Sequence, residues 1–155
     1  NMKFMLNGAV TLGTFDGANI EIVEQAGREN NYIFGLDADE VAALKPEYDP
    51  NVYANAEPRM KRVLDTLVDG TVDDGGTGMF RELYTAITEG ASWHQPDHYL
   101  LLADFIAYCD ARLKTNQDYR DRANFTRKCL LNTAAAGKFS SDRSVEEYAV
   151  DIWNV

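Results

Sequence analysis

Residues 9–34 open with Ala9-Val10-Thr11-Leu12-Gly13-Thr14-Phe15, pass through Asp16-Gly17-Ala18-Asn19-Ile20-Glu21-Ile22-Val23 to Gly27, and close on Tyr32-Ile33-Phe34. The first and last of these runs are short, apolar and bounded by Gly, Asp or Asn, which predicts buried strands over Ala9–Phe15 and Tyr32–Phe34. Asp16-Gly17 marks a turn between them. Asn19 offers a cap for a helix from Ile20 to about Ala26, where Gly27 supplies the stop. A strand, helix, strand unit of this length joins parallel strands by a right-handed crossover, so the stretch predicts one edge of an open α/β sheet.

Downstream the pattern turns helical. Asp37-x-x-Glu40 has the spacing of a capping box, and Val41, Ala42 and Leu44 follow it before Pro46. Residues 45–56 read as a loop. Met60, Val63, Leu64 and Leu67 recur at helical spacing, with Pro58 suited to the first turn and Gly70 past the end. Phe80, Leu83, Tyr84 and Ile87 repeat the pattern up to Gly90, and 91–98, with Pro96, form a connection. Leu102, Phe105, Ile106, Cys109 and Leu113 make another apolar stripe. A further helix is expected from about Asp118 to Ala136, stopped by Gly137. Ser144-x-x-Glu147 then predicts a capping box for a last helix with Val145, Tyr148, Ala149 and Ile152 on one face.

The chain has 155 residues, 45% of them hydrophobic, enough for one domain that buries roughly two-thirds of its unfolded surface. Against 15 Lys and Arg stand 25 Asp and Glu, a net charge of -10. No basic stripe exists to track phosphates, which argues against a nucleic-acid partner. Apolar runs fall far short of the ~20 residues that a membrane-spanning helix needs. Cys109 and Cys129 lie in helical patterns among apolar neighbours, with neither metal-type nor redox-type spacing, and fit a reducing, cytoplasmic setting. The first residue is Asn1, and a motif begins in mid-course there, so the sequence reads as a piece of a longer chain.

Self-sufficient catalytic motifs are absent: there is no Walker A loop, nucleophile elbow or zinc spacing, and no G-x-G-x-x-G follows a strand. His94 and His98 have a helical metal spacing, but Pro96 between them favours a loop with two solvent-facing imidazoles. Gly75-Gly76-Thr77-Gly78 precedes a helix start and could cradle a phosphate, yet Asp73 and Asp74 beside it would repel an anion, so a plain linker is the better reading. Lys3 stands between Met2 and Phe4-Met5-Leu6. Burial there would lower its pKa and favour a nucleophilic amine. On composition alone, though, a solvated lysine whose stem lies across apolar neighbours is the favoured reading.

The run from Asn1-Met2-Lys3-Phe4-Met5-Leu6-Asn7-Gly8-Ala9 through Gly13-Thr14-Phe15-Asp16-Gly17-Ala18-Asn19-Ile20-Glu21 closely resembles the pyridoxal-phosphate segment of the α-glucan phosphorylases, the glycogen, starch and maltodextrin enzymes. A second match is Gly137-Lys138-Phe139-Ser140-Ser141-Asp142-Arg143-Ser144, with Tyr148 and Ile152-Trp153 after it. Ala103-Asp104-Phe105 with Tyr108, and the helix Asn124 to Thr133, are similar to the intervening helices of that family. Between about 45 and 98 only helical patterning agrees.

The resemblance implies an α/β fold: the C-terminal portion, 1–155, of the second, pyridoxal-phosphate-binding Rossmann-like lobe of a two-lobed GT-B type glycosyltransferase, helix-rich, with its upstream part and N-terminal lobe elsewhere in the chain. It implies that Lys3 bonds pyridoxal 5′-phosphate covalently. It further implies that the intact enzyme, a homodimer, uses inorganic phosphate to cleave terminal α-1,4-glucosyl units with retention, giving glucose 1-phosphate. The cofactor's phosphate then takes part in proton transfer. One departure matters. The Gly-Thr-Gly that precedes Asn-Met-Lys in the family and helps to hold the cofactor would lie before Asn1, and Gly76-Thr77-Gly78 does not replace it, because Met79-Phe80 follows. The chain would thus carry the lysine and little else of the site, and would be inactive alone. No chemical role passes to Asp16, Asn19, Ser140, Ser141, Asp142 or Arg143, which turns and caps explain. A non-catalytic module that docks a partner through the apolar strand edge near residues 1–15 is the competing reading.

Overall fold

The structure is a computed structural model that describes all 155 residues. The chain divides into two compact units, Asn1–Phe34 with Tyr108–Val155, and Gly35–Ala107. No helix is long and apolar enough to cross a membrane.

The first unit begins with α1 (Met2–Leu6), β1 (Leu12–Gly13), α2 (Ala18–Ala26) and β2 (Tyr32–Ile33). The strands pair in parallel with Leu12 opposite Tyr32 and Gly13 opposite Ile33, as the crossover predicts. Both are much shorter than their apolar runs. The reason lies in side chains that take over backbone groups a longer ladder would use: Asn31 Oδ1 accepts from Thr11 N at 3.2 Å, and Asn19 Nδ2 donates to Thr14 O at 2.9 Å. Asn19 is therefore not the helix cap. Gly17 holds that place with φ 46° and ψ −133°, a conformation that suits glycine, and lets α2 start two residues earlier than Ile20. Gly27, at φ 87°, ends the helix as expected.

At its other end the unit holds the last part of α7 (Leu101–Asp118), then α8 (Arg122–Ala135) and α9 (Ser141–Tyr148). The helix expected from Asp118 starts later because Asp121 caps it, accepting from Asn124 N at 3.1 Å. The last helix likewise starts earlier than Ser144 predicts. Ser140 is its cap, with Oγ accepting from Asp142 N at 3.2 Å, and Ser144 lies inside the helix. A π-helical turn, Ala149–Trp153, follows. Met5, Ile22, Ala26 and Ala136 form the unit's apolar core, with Ala135 and Phe139 against it.

The second unit contains α3 (Ala38–Leu44), α4 (Pro50–Ala56), α5 (Pro58–Asp65), α6 (Met79–Thr88) and the first part of α7. The capping box of α3 is formed: Glu40 N donates to Asp37 Oδ1 and Asp37 N to Glu40 Oε2, each at 2.9 Å. Helix α4 replaces part of the loop read over 45–56. Asp49 caps it through Asn51 N at 2.9 Å, and Pro50 occupies the first turn, where its missing N–H costs nothing. Ala54, Met60, Leu64 and Leu102 make the core, flanked by Tyr53, Tyr84, Ile87 and Phe105.

Candidate functional site

Helix α1 places Lys3 one turn from a firm anchor. Met5 is 1% exposed and packs on Ile22, Ala26 and Ala136, while Lys3 is exposed. Two residues along a helix stand about 200° apart, so burying Met5 turns Lys3 outward. Lys3 is thus the solvated lysine that composition alone favours, and Phe4 and Leu6 beside it are themselves 71% and 59% exposed.

Both ends of α1 are tied. At its start Asn1 Nδ2 donates to Asn19 Oδ1 at 2.8 Å, and Asn19 passes the connection to Thr14 O. Asn19 fits there because position 13 is glycine; a Cβ on Gly13 would lie 2.7 Å from Asn19 Nδ2. At its end Gly8, at φ 82°, lets the chain turn beside Thr133 and Cys129. The Thr133 hydroxyl shares its proton between Cys129 O at 3.1 Å and Met5 O at 3.5 Å. A cleft of about 220 Å³ opens between α1 and β1, lined by Asn1, Phe4, Met5, Thr11, Leu12 and Asn19 among others, and no cationic side chain lines it.

Asparagines carry more of this unit than the sequence reveals. Asn30 Nδ2 donates to Ala26 O at 2.7 Å and Asn31 Nδ2 to Gly27 O at 3.1 Å, so both side chains hold the end of α2. Asn132, fully buried, donates to Asn30 O at 2.9 Å and Lys128 O at 3.0 Å; its Oδ1 has no partner. Tyr32 donates to Asp118 Oδ2 at 3.0 Å, and Lys114 pairs with the same carboxylate. Burial first, and then that bond, push the Tyr32 phenol above its ordinary range. The Lys114 ammonium chiefly, with help from Tyr32, holds the Asp118 carboxyl below the usual carboxylate range.

The remaining sequence candidates fall elsewhere. His94 and His98 belong to the second unit, with ring centroids 6.2 Å apart and His94 Nδ1 against Gln95 O at 2.7 Å. No group of three or more His, Cys, Asp or Glu side chains is placed to hold a metal ion. In the Gly75–Gly78 loop, Asp74 accepts from Gly76 N at 3.0 Å and Phe80 N at 3.3 Å. These bonds occupy the donors that a phosphate would need and depress the Asp74 pKa, Phe80 N–H contributing most. Arg143 bonds Lys138 O at 2.6 Å and pairs with Glu147 of its own helix. Asp142 and Ser141 lie in the first turn of α9 and are exposed, and Asp16 is exposed in the turn before α2.

With an outward-facing lysine on a tethered helix in view, the comparison with known proteins decides the reading. A family model of the carbohydrate phosphorylases matches residues 1–155. The chain belongs to that family. Similar proteins include glycogen phosphorylase of Synechocystis sp., 44% identical over 156 residues, and the liver form of glycogen phosphorylase of Homo sapiens, 43% identical over 156. Glycogen phosphorylase of Bacillus subtilis is 40% identical over 157 residues. Each comparison covers 100% of this chain but only 18% of the first two relatives and 19% of the third.

Within this phosphorylase-family chain the residues present can be tested against a cofactor that bonds a lysine. An amine that is to attack an aldehyde has to be reachable and uncommitted. Lys3 is exposed and takes part in none of the four ion pairs. It fits covalent attachment. The cleft between α1 and β1, which Lys3 does not line, offers amide and apolar groups but no cation for the cofactor's phosphate, so the fit extends to the amine alone.

Proposed function

We propose that residues 1–155 are the C-terminal portion of the second, Rossmann-like lobe of a GT-B type α-glucan phosphorylase. The intact enzyme cleaves terminal α-1,4-glucosyl units of glycogen, starch or maltodextrin with inorganic phosphate and releases glucose 1-phosphate. Lys3 is the residue to which pyridoxal 5′-phosphate attaches. When bound, that cofactor supplies an ionisable phosphate for proton transfer next to the substrate phosphate. The observation that carries this reading is the unpaired, exposed Lys3 amine on a helix tied at both ends, in a chain matched along its whole length by the phosphorylase family.

The roles of this chain's residues follow from their contacts. Lys3 holds the cofactor in register. Asn1 and Asn19 fix where α1 begins, Met5 sets how deep it sits, and Gly13 leaves room for the Asn19 amide. Such fixing matters because much of the rate in a multi-reactant site comes from orientation. Groups that bind the cofactor's phosphate and the sugar belong to the rest of the enzyme, which works as a homodimer. Cys109 and Cys129 are free thiols, in keeping with a cytoplasmic protein.

Borohydride reduction of the intact, cofactor-loaded enzyme, followed by peptide mass spectrometry, tests the assignment. The mass increment is expected on Lys3, and recovery on another lysine overturns it. Glucose 1-phosphate release from maltoheptaose and phosphate tests the reaction class.

A further inference from the structure

Helix α1 closes on a Schellman motif. Ala9 N donates to Phe4 O at 2.9 Å and Gly8 N to Met5 O at 3.0 Å, the pair of bonds that defines it. The motif demands a left-handed residue just past the cap, and Gly8 stands there at φ 82°. The end of the helix that bears Lys3 therefore requires glycine at position 8. The cap itself is Asn7, the only asparagine in the chain that a glycine follows.

That dipeptide carries a chemistry of its own. The main-chain nitrogen after an asparagine can close a five-membered ring on the side-chain carbonyl carbon, and glycine leaves this nitrogen without a Cβ to hinder its approach. Hydroxide removes the Gly8 N proton, the nitrogen bonds Asn7 Cγ, and the Cγ–Nδ2 bond breaks as water returns a proton to the departing ammonia. A second water opens the cyclic imide. Attack at Cγ gives aspartate; attack at the main-chain carbonyl gives isoaspartate, whose backbone runs through Cβ. The sum is one water consumed and one ammonia released, with no oxidant or reductant.

The native geometry opposes each requirement of that step. With φ −91° and ψ 16° at Asn7, the Gly8 nitrogen nearly eclipses the Asn7 nitrogen about the Cα–C bond, so Cβ and the amide it carries stand away from it. The attacking N–H is committed to Met5 O, and the leaving amide donates to Lys3 O at 2.7 Å. All three restraints belong to a helix of five residues, too short to persist without a tertiary seat. That seat is Met5, packed on Ile22, Ala26 and Ala136. The product does not restore the closure. An aspartate at this place only accepts, so it would face Lys3 O without a donor, and its charge falls at the unfavourable end of the helix dipole.

We propose that Asn7-Gly8 is a site of spontaneous deamidation, held shut by the seating of Met5, and that its conversion irreversibly loosens α1. The chemistry is independent of what Lys3 binds. The test incubates the intact enzyme in mildly alkaline buffer, native or unfolded in urea, and follows the Asn7 peptide by mass spectrometry for the gain of an amide turned acid. In urea Asn7 should convert faster than any other asparagine of the chain, and in the native enzyme at least about tenfold more slowly than in urea. Met5→Ala, which empties the seat, should raise the native rate about fivefold, with faster hydrogen exchange confined to the 2–9 peptide. Met5→Leu, which keeps the volume, should stay near wild type. If Met5→Ala does not fold, Thr133→Val, which removes the hydroxyl over Met5 O, serves the same arm. Conversion in urea no faster at Asn7 than elsewhere overturns the site. Equal rates for native and unfolded wild type, a seat variant that matches wild type, or exchange quickened throughout the protein overturns the gate.

Discussion

Asn1 and Asn19 share a 2.8 Å hydrogen bond that ties the residue before α1 to the first turn of α2. Asn19 is 8% exposed and also donates to Thr14 O, so both ends of its amide are committed. Truncating it leaves the part-buried Thr14 carbonyl and the Asn1 amide without these partners. Asn19→Ala is expected to cost about 1–3 kcal/mol, measured as a lower midpoint in urea unfolding. Asn19→Asp keeps the acceptor for Asn1 but sets a carboxylate oxygen against Thr14 O, and should show the same direction. Gly13→Ala should destabilise by the neighbouring route, since the new Cβ would collide with the Asn19 amide.

Lys3 separates attachment from stability. Its side chain is exposed and outside every ion pair, so Lys3→Ala and Lys3→Arg should leave the midpoint within about 0.5 kcal/mol of wild type. Arginine keeps the charge but cannot bond the cofactor, so borohydride-trapped label should vanish in both variants. If attachment only tethers, Lys3→Arg saturated with pyridoxal phosphate retains part of the intact enzyme's activity. An activity equal to wild type would show that Lys3 does not position the group.

Alkaline pH should weaken the protein through two phenols. Burial, reinforced by Asp118 for Tyr32 and by Asp97 for Tyr48, raises both above the ordinary value of 10.0. Below pH 10 the phenols are neutral in folded and unfolded chains, and the native bonds contribute in full. Above it the unfolded phenols ionise first, so stability falls as pH rises. Absorbance near 295 nm should show the Tyr32 and Tyr48 phenols ionising only as the chain unfolds. Tyr32→Phe should remove one delayed step. At the acid end Asp118 works in the opposite sense: its depressed pKa adds stability that is lost as pH falls below 3.8, and Asp118→Ala should flatten that limb.

The 155-residue chain by itself should release no glucose 1-phosphate and should self-associate. Val145, Tyr148, Ile152 and Trp153 are each 54–61% exposed on the last turns, and both two-residue strands have open edges. Light scattering across a wide concentration range checks the second claim. A strictly monomeric species would contradict it and favour the docking-module reading.

How much was legible in the sequence depended on how local the deciding contact is. The Asp37 and Glu40 box spans four positions and was readable; so was the parallel pairing of β1 with β2, because crossover length and handedness leave few choices. Helix α4 was missed because Asn51-Val52-Tyr53-Ala54 shows no apolar stripe, although Asp49-Pro50 is a serviceable start signal. Asn19 and Ser144 were misread since a capping residue type does not reveal which nearby group it will bond. For Lys3 the composition favours a solvated amine, and the burial of Met5 fixes which way it faces, since neighbours in sequence are not neighbours on a helix. The bond from Asn132 to Asn30 joins residues 102 apart and leaves no local trace at all.

Thr133 and Met5 meet across 128 residues of sequence. On a ribosome adding about 5–20 residues per second, the segment bearing Lys3 emerges about ten seconds ahead of the helix that will seat it. Until α8 arrives, nothing from that side closes on Met5, so a newly made chain passes through a stage in which α1 has sequence but no fixed place. A premature stop inside α8 would therefore do its damage at α1, more than a hundred residues upstream.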